Sequence, residues 1–150
     1  MQVVNEQQKS VRKDASRLAD FIMFTQRSFL LNLSKELNKG NVSFAQFFLL
    51  GYLAKEEFLT MTDISKKMGH STAAATGLVD RLEKLGYVQR VHASDDRRKV
   101  MVQVTKKGIE LVGKMREDIV ESLVDLMDDL DSDEKASVLA AHGKLNKSED

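Results

Sequence analysis

Residues 62–105 decide the fold of this chain, and they read TDISKKMGHSTAAATGLVDRLEKLGYVQRVHASDDRRKVMVQVT. Their first half predicts a short helix, Thr62–Met68, and a longer helix, Ser71–Leu85, because apolar residues recur at helical spacing. Gly69 and Gly86 stand just past these helices, where glycine commonly ends a helix. This half therefore predicts a helix–turn–helix.

The second half of this stretch predicts a β-hairpin. Tyr87–Ala93 and Val100–Thr105 have the alternating or β-branched composition of short strands. The turn between them, Ser94–Lys99, reads SDDRRK and is too polar for a core. A helix–turn–helix followed by a hairpin with a basic tip is a winged helix, whose second helix suits a DNA major groove and whose tip suits phosphates or a minor groove.

The longer helix has two different faces. An apolar stripe, which we expect to be buried, consists of Ala75, Leu78, Val79, Leu82 and Leu85. The opposite face carries Thr72, Ala73, Thr76, Gly77, Asp80, Arg81 and Lys84. Either Ser71 or Thr72 can cap the start of this helix, and we expect the polar face to point away from the core.

The run LVDRLEKLGYV at residues 78–88, followed by DDRRKVMVQVTKKG at residues 95–108, resembles the MarR (multiple antibiotic resistance regulator) family. These are bacterial winged-helix transcription factors, and the motif covers about a third of this chain. The resemblance implies a mainly α fold with a small β-hairpin wing. It also implies that the N- and C-terminal helices form a dimerisation region.

We expect a single domain over residues 1–150, with a winged-helix lobe at about 43–108 and dimerisation helices at about 7–37 and 109–146. The first long helix is predicted over Gln7–Leu37 from a stripe of leucine, isoleucine and phenylalanine. Ser43 and Gln46 have capping-box spacing and start the next helix.

Three further elements complete the predicted chain. Phe58–Met61 is predicted to add an edge strand to the hairpin. Thr105 is predicted to cap a helix over Lys106–Leu130, and Asp131 with Glu134 has capping-box spacing before the last helix. The helix over Lys106–Leu130 is apolar on more than one face, which implies a partner chain. A two-fold homodimer would present two recognition helices to a pseudo-palindromic operator with half-sites about one helical turn apart.

The resemblance places the exposed face of the longer helix in the major groove. The candidate DNA-binding residues on it are Ser71, Thr72, Ala73, Thr76, Arg81 and Lys84. Hydroxyls can bond to phosphates or base edges, and methyl groups can touch thymine. The family often carries Arg, Asn or Gln as base readers along this face, where this chain offers hydroxyls, methyl groups and Gly77, so specificity depends more on DNA shape and on the wing. Ala73 can also be present only for helix propensity, and Arg81 can pair with a nearby acid.

The resemblance also places the wing on DNA. Asp96 and Arg98 match the Asp-x-Arg pattern of the family, in which the arginine reaches into the minor groove. Asp96 would shape the turn around that arginine. Arg90, Arg97 and Lys99 are predicted to contact the phosphate backbone, against the alternative of a solvated hairpin tip.

Many members of the family bind small aromatic or phenolic effectors. Candidate ligand-binding residues here are Phe21, Phe24, Phe47, Phe48, Tyr52 and Met115, near Phe44. These side chains can equally fill an ordinary core, which is the interpretation we favour.

Composition excludes several functions. The chain has net charge zero, but residues 66–107 carry +6 and residues 108–150 carry −7, as expected for a DNA-binding lobe on an acidic scaffold. It has no cysteine, no apolar run of membrane-spanning length and no phosphate loop, zincin motif or nucleophile elbow. With the resemblance, we expect a cytoplasmic regulator that acts as a repressor, is not an enzyme and has no cofactor or metal. The alternative is a winged helix used for protein–protein contact.

Overall fold

The structure is a computed structural model that describes residues 6–20, 23 and 27–145. The chain divides into two compact units, residues 1–115 and residues 116–150. None of the helices in the described ranges combines the length and the hydropathy that a membrane-spanning segment requires.

The described chain is mostly helical with one small sheet, which confirms the predicted fold class. Its elements in order are α1 (Glu6–Asp20), α2 (Arg27–Gly40), α3 (Phe44–Lys55), β1 (Leu59–Thr60), α4 (Met61–Met68), α5 (Thr72–Lys84), β2 (Val88–His92), β3 (Val100–Val104), α6 (Lys106–Asp128) and α7 (Ser132–Leu145).

The helix predicted over Gln7–Leu37 covers the two helices α1 and α2, and residues 21, 22 and 24–26 between them lie outside the described part of the chain. The second continues past Leu37 to Gly40, because its end is closed by a two-bond turn. Asn41 N–H donates to Asn38 O (3.1 Å) and Val42 N–H donates to Leu37 O (3.0 Å), while Asn41 adopts φ of 56°. This is the Schellman arrangement, with asparagine where glycine is more usual.

Side-chain caps fix where the helices begin. Ser43 and Gln46 form the predicted capping box of α3. Thr60 and Asp63 form a second box at α4, which the sequence analysis missed, and the Thr60 hydroxyl and N–H that donate to Asp63 hold the pKa of that carboxyl below its usual value. Ser71 caps α5 through Ala74 N–H (3.2 Å), which decides between the two predicted caps.

The sheet is antiparallel, with the strand order β1-β3-β2. Val88 pairs with Val104 and His92 pairs with Val100, so β2 and β3 form the predicted hairpin. Leu59 pairs with Val102, which confirms the predicted edge strand. The β2–β3 hairpin with its connecting turn at residues 93–99 is the wing.

The core of the first unit lies between α3, α4, α5 and the sheet. Its fully covered side chains include Leu49, Leu50, Leu53, Ile64, Ala75, Val79, Leu82, Val102 and Met115. The predicted buried stripe of α5 is confirmed, since Ala75, Val79 and Leu82 are buried and the other two members are partly covered. This packing fixes which face of α5 remains outside.

Glu36 links α2 to α6. Its carboxylate accepts from Lys114 Nζ (2.5 Å) and from Lys39 Nζ (2.7 Å), and these two ammonium groups lower its pKa from 4.5 to about 2. A lowered carboxyl pKa stabilises the fold above the unfolded-state pKa, and that stabilisation is lost as the pH falls through the folded-state pKa. Glu36→Gln is therefore expected to unfold at lower urea than the natural protein at pH 7, with the difference closing toward pH 2. A difference that stays constant from pH 7 to pH 2 would contradict this ion-pair account.

Candidate nucleic-acid interface

The outward face of α5 is the first part of the candidate interface. Thr72, Ala73, Gly77, Asp80 and Lys84 are all exposed. They lie opposite the buried stripe, so the face predicted to point away from the core does so. A Cβ added at Gly77 would meet nothing within 4 Å, so the middle of this face is open and flat.

Two of the candidate hydroxyls on α5 already make bonds within the helix. Ser71 Oγ accepts from Ala74 N–H, and Thr76 Oγ1 donates to Thr72 O (2.8 Å). Ser71 keeps its own hydroxyl proton for a further acceptor. Thr76 uses its proton internally, which leaves a methyl group and an acceptor for contact with a base edge.

The wing tip is the second part of the interface. Arg97, Arg98 and Lys99 are exposed, and none of them has a carboxylate partner within 4 Å among the described residues. Asp96 Oδ1 accepts from Arg98 N–H (2.9 Å), and Asp96 O accepts from Lys99 N–H (3.0 Å). The carboxylate thus shapes the turn that carries these cations, as the sequence analysis expected.

His92 and Ala93 close the base of the tip. His92 Nδ1 lies 2.9 Å from Arg97 O, and because a carbonyl can only accept, this ring nitrogen carries the proton. Ala93 N–H donates to Lys99 O (3.0 Å). The tip is therefore a hydrogen-bonded turn with its basic side chains directed outward.

Arg90, which was predicted to contact a phosphate, is paired with two carboxylates in this structure. Its guanidinium donates to Asp80 Oδ1 (2.5 Å) and to Glu83 Oε1 (2.8 Å), and its N–H donates to Glu83 Oε2 (2.9 Å). Partial burial disfavours its charge, but the two carboxylates outweigh this and raise its pKa. In this structure Arg90 joins β2 to α5, and its contact with a phosphate stays a prediction.

Arg81 and Lys84 differ from Arg90. Arg81 Nη2 donates to Asn41 Oδ1 (2.9 Å), and no carboxylate within the described residues pairs with it. The alternative that Arg81 pairs with a nearby acid is therefore not the arrangement seen. Lys84 is exposed at the end of α5. The sequence analysis did not predict the contact of Asn41 with Arg81. The signal that could have drawn attention to Asn41 is its position just past a helix end, where asparagine can adopt the left-handed conformation.

The junction between α5 and the wing is held by the motif that suggested the family. Thr105 Oγ1 donates to Gly86 O (2.6 Å), and Thr105 N–H donates to Tyr87 O (3.0 Å). Lys107 Nζ donates to Leu85 O (2.7 Å) and lies 4.6 Å from the centre of the Tyr87 ring. These contacts hold the start of β2 against the end of β3 and join the base of the wing to the end of α5.

The candidate effector residues do not share one surface. Met115 is fully covered in the core, Phe47 is partly covered, and Phe48 is 58% exposed. Phe44, Phe48 and Tyr52 recur every four residues and form an outward aromatic face on α3, so the favoured interpretation as ordinary core is wrong for these three in the single chain. Phe21 and Phe24 lie outside the described residues.

The comparisons with known proteins agree with this geometry. Residues 41–99 match the sequence model of the MarR family. The transcriptional regulator YfiV of Bacillus subtilis is 44% identical over 73 residues, which are 49% of this chain and 46% of that protein. The match thus spans about half the length of that relative.

Solved structures extend the likeness beyond the winged helix. The transcriptional regulator Tm0710 of Thermotoga maritima is 26% identical with a TM-score of 0.69, over 91% of this chain and 94% of that one. A complex of MepR from S. aureus with DNA has a TM-score of 0.69 at 24% identity, over 85% of this chain and 96% of that one.

The chain is therefore a winged helix–turn–helix protein. Its residues 41–99 match the sequence model of the MarR family, which confirms the resemblance carried by the motif in residues 78–108. The relatives are named as transcriptional regulators, which confirms the prediction that the chain is not an enzyme.

Proposed function

We propose that this chain is a transcriptional regulator that binds double-stranded DNA sequence-specifically as a homodimer. The observation that carries the proposal is the wing tip, where three exposed cations, Arg97, Arg98 and Lys99, stand without carboxylate partners among the described residues. Such cations are suited to phosphates and to a narrow minor groove. The exposed face of α5, the helix that precedes the wing in the chain, is suited to the major groove.

The distribution of charge around α5 supports this proposal. The two carboxylates on the wing side of α5, Asp80 and Glu83, would repel phosphates if left alone. Arg90 neutralises part of their charge through three hydrogen bonds. Within the described residues, the tip cations Arg97, Arg98 and Lys99 keep their charge without a carboxylate partner, and DNA would lie against them.

Exposed apolar side chains support the homodimer. In the first unit, Val11 and Leu18 project from α1 with 63% and 59% of their surface exposed. In the second unit, Val138 and Leu139 of α7 are 51% and 62% exposed. Apolar faces of this kind are covered in the assembled state by a second surface, and a two-fold dimer covers the same face on both copies.

A dimer on promoter DNA would repress by occupying the site that RNA polymerase needs, so we propose repression in the cytoplasm as the mode of action. The outward aromatic face of α3, Phe44, Phe48 and Tyr52, supports release by a small aromatic effector bound against the dimer region. Such a molecule acts as an effector only if it binds the DNA-free form more tightly than the DNA-bound form.

Selection of duplexes from a randomised DNA pool tests this proposal. The enriched sequences are expected to contain two inverted half-sites whose centres are about 10 base pairs apart, because two recognition helices related by a two-fold axis meet successive major grooves. Light scattering of the same sample at micromolar concentration is expected to give twice the mass of the 150-residue chain. Enrichment of single half-sites by a monomer would contradict the dimer, and no enrichment would contradict specific binding.

A second candidate function is a winged helix that contacts another protein. Two surfaces favour it. The outer face of α5 has the small residues Ala73 and Gly77 at its centre, and α3 has an exposed aromatic face. The salt dependence of DNA binding separates the two functions, because phosphate contacts release counterions and a protein partner does not require them.

A further inference from the structure

A cleft of about 280 Å³ lies between the α2–α3 turn and α5. We name it the turn cleft, and its lining residues are Asn38, Asn41, Val42, Ser43, Gln46 and Arg81. It contains a guanidinium, three amides and a hydroxyl, and its lining includes no carboxylate. It therefore has one positive charge and a set of hydrogen-bond donors, which is the chemistry that holds an oxyanion.

The donors of the turn cleft are partly held in place already. Asn41 Oδ1 accepts from Arg81 Nη2, which leaves the Asn41 amide N–H groups and the other guanidinium nitrogens to donate outward. Ser43 Oγ accepts from Gln46 N–H, so its hydroxyl proton is also available to an acceptor. Arg81 thus has a fixed position without losing its charge to an acid.

The turn that carries Asn41 is rigid. Its two backbone bonds to Asn38 and Leu37 close the end of α2, and Tyr87 Oη donates to Gly40 O (3.1 Å) from the start of the wing. Glycine is the usual residue at this left-handed position. Asparagine also tolerates it and adds a side chain that reaches Arg81, so this position has a contact that glycine would not provide.

The turn cleft lies on the side of α5 away from the wing. Successive residues of a helix are turned by about 100°, so Arg81 and Glu83 project about 160° apart around the axis of α5. Glu83 holds Arg90 of β2, whereas Arg81 points to Asn41. A helix about 10–12 Å wide in a major groove about 12 Å wide approaches both sugar–phosphate backbones.

We propose that the turn cleft binds a phosphodiester group of the DNA backbone across the major groove from the wing, with Arg81 as the charged contact and Asn41 as its positioning residue. The inference rests on the proposed function. It assigns Asn41 a role in DNA binding, and it places two phosphate anchors on opposite flanks of one recognition helix.

Arg81→Gln and Asn41→Asp test the turn cleft. Arg81→Gln is expected to weaken binding about tenfold on specific and unrelated duplexes alike, and to reduce the slope of log affinity against log salt by about 0.9, because one phosphate contact releases about that many counterions. Asn41→Asp keeps an acceptor for Arg81 and the left-handed backbone, but it places a negative charge beside the phosphate. It is expected to weaken binding at least as much, with the same change of slope.

Two further variants give the controls. Asn41→Gly fits the left-handed backbone and removes only the amide, so it is expected to cause a smaller loss, about threefold, through a less ordered Arg81. Lys106→Gln removes one exposed charge at the start of α6, which lies at the opposite end of the wing from the tip. This variant is expected to leave the affinity for DNA and the slope of log affinity against log salt unchanged.

The results separate this inference from the proposed function. If the natural protein does not bind DNA, the proposed function fails and the turn cleft has no phosphate to bind. If it binds and the Arg81→Gln and Asn41→Asp variants keep its affinity and slope, only the turn cleft is refuted. A loss of affinity in Arg81→Gln with an unchanged slope would also overturn it, because that pattern indicates a structural role for Arg81 rather than a phosphate contact.

Discussion

Replacing Arg98 by alanine is expected to weaken binding to the selected operator tenfold or more, a cost on the order of 1–3 kcal/mol for a specific contact. Arg98 is exposed at the wing tip, and within the described residues no acid neutralises it. Its backbone N–H is held by Asp96 Oδ1. The guanidinium is therefore presented from a fixed turn, which lowers the entropic cost of binding it in a groove.

The loss in Arg98→Ala is expected to depend on sequence. A narrow A·T-rich minor groove concentrates negative potential, so replacing A·T pairs under the wing by G·C pairs should weaken the natural protein more than it weakens the variant. Arg17→Ala provides the matched control, because Arg17 is also exposed but lies on α1. Equal affinities of Arg98→Ala and the natural protein, measured by fluorescence anisotropy in the same salt, would refute a role for Arg98.

Replacing Gly108 by alanine is expected to destabilise the fold by about 3 kcal/mol, at the upper end of what overpacking a core costs. A Cβ at this position would lie 2.6 Å from Val104 Cγ2 and closer still to Tyr87 O. The Tyr87 carbonyl cannot move freely, because it accepts from Thr105 N–H (3.0 Å) in the junction of the wing. Relief of the clash therefore has to break that bond or shift α6.

Gly113→Ala is the matched control for Gly108→Ala. It lies on the same helix, and an added Cβ would meet nothing within 4 Å. Alanine there is expected to stabilise by up to about 1 kcal/mol through helix propensity. Urea unfolding at one protein concentration measures both variants. Equal midpoints for the Gly108→Ala variant and the natural protein would show that the junction is looser than the structure has it.

Much of the winged helix could be predicted from the sequence because its signals are local. Gly69 and Gly86 adopt positive φ, at 61° and 82°, where the sequence predicted the two helix ends. The helix caps at Ser43, Thr105 and Asp131 depend on residues three or four positions apart in the sequence. The edge strand and the hairpin depend on short strand patterns. Both kinds of pattern can be recognised in a single amino-acid sequence, and the structure contains the caps and the edge strand that they predicted.

The roles of single charged residues could not be predicted in the same way. Arg90 is seven residues from Glu83 and ten from Asp80, and only the packing of β2 on α5 brings the three together. Arg81 and Asn41 are 40 residues apart. Arg81 lies next to Asp80 and near Glu83 in the sequence, yet its partner is an amide, so composition alone does not decide whether an arginine binds a carboxylate, an amide or a phosphate.

The aromatic residues of α3 show a different limit. Phe44, Phe48 and Tyr52 have the spacing of a helix face, but spacing does not say whether the face is inward or outward. The other face of α3 supplies Leu49, Leu50 and Leu53 to the core, so the aromatic face remains outside. A helix that is apolar on both faces indicates that something further covers it.

The measurement that tests the central claim most directly is the affinity of the purified protein for DNA from upstream of its own gene, against an unrelated duplex of equal length, at about 50 and 200 mM salt. We predict tight binding that is selective for the upstream DNA and falls by about a thousandfold or more between the two salt concentrations, since about six or more phosphates are contacted. Binding that is weak, equal for both duplexes and insensitive to salt would contradict the account and favour a winged helix that contacts protein.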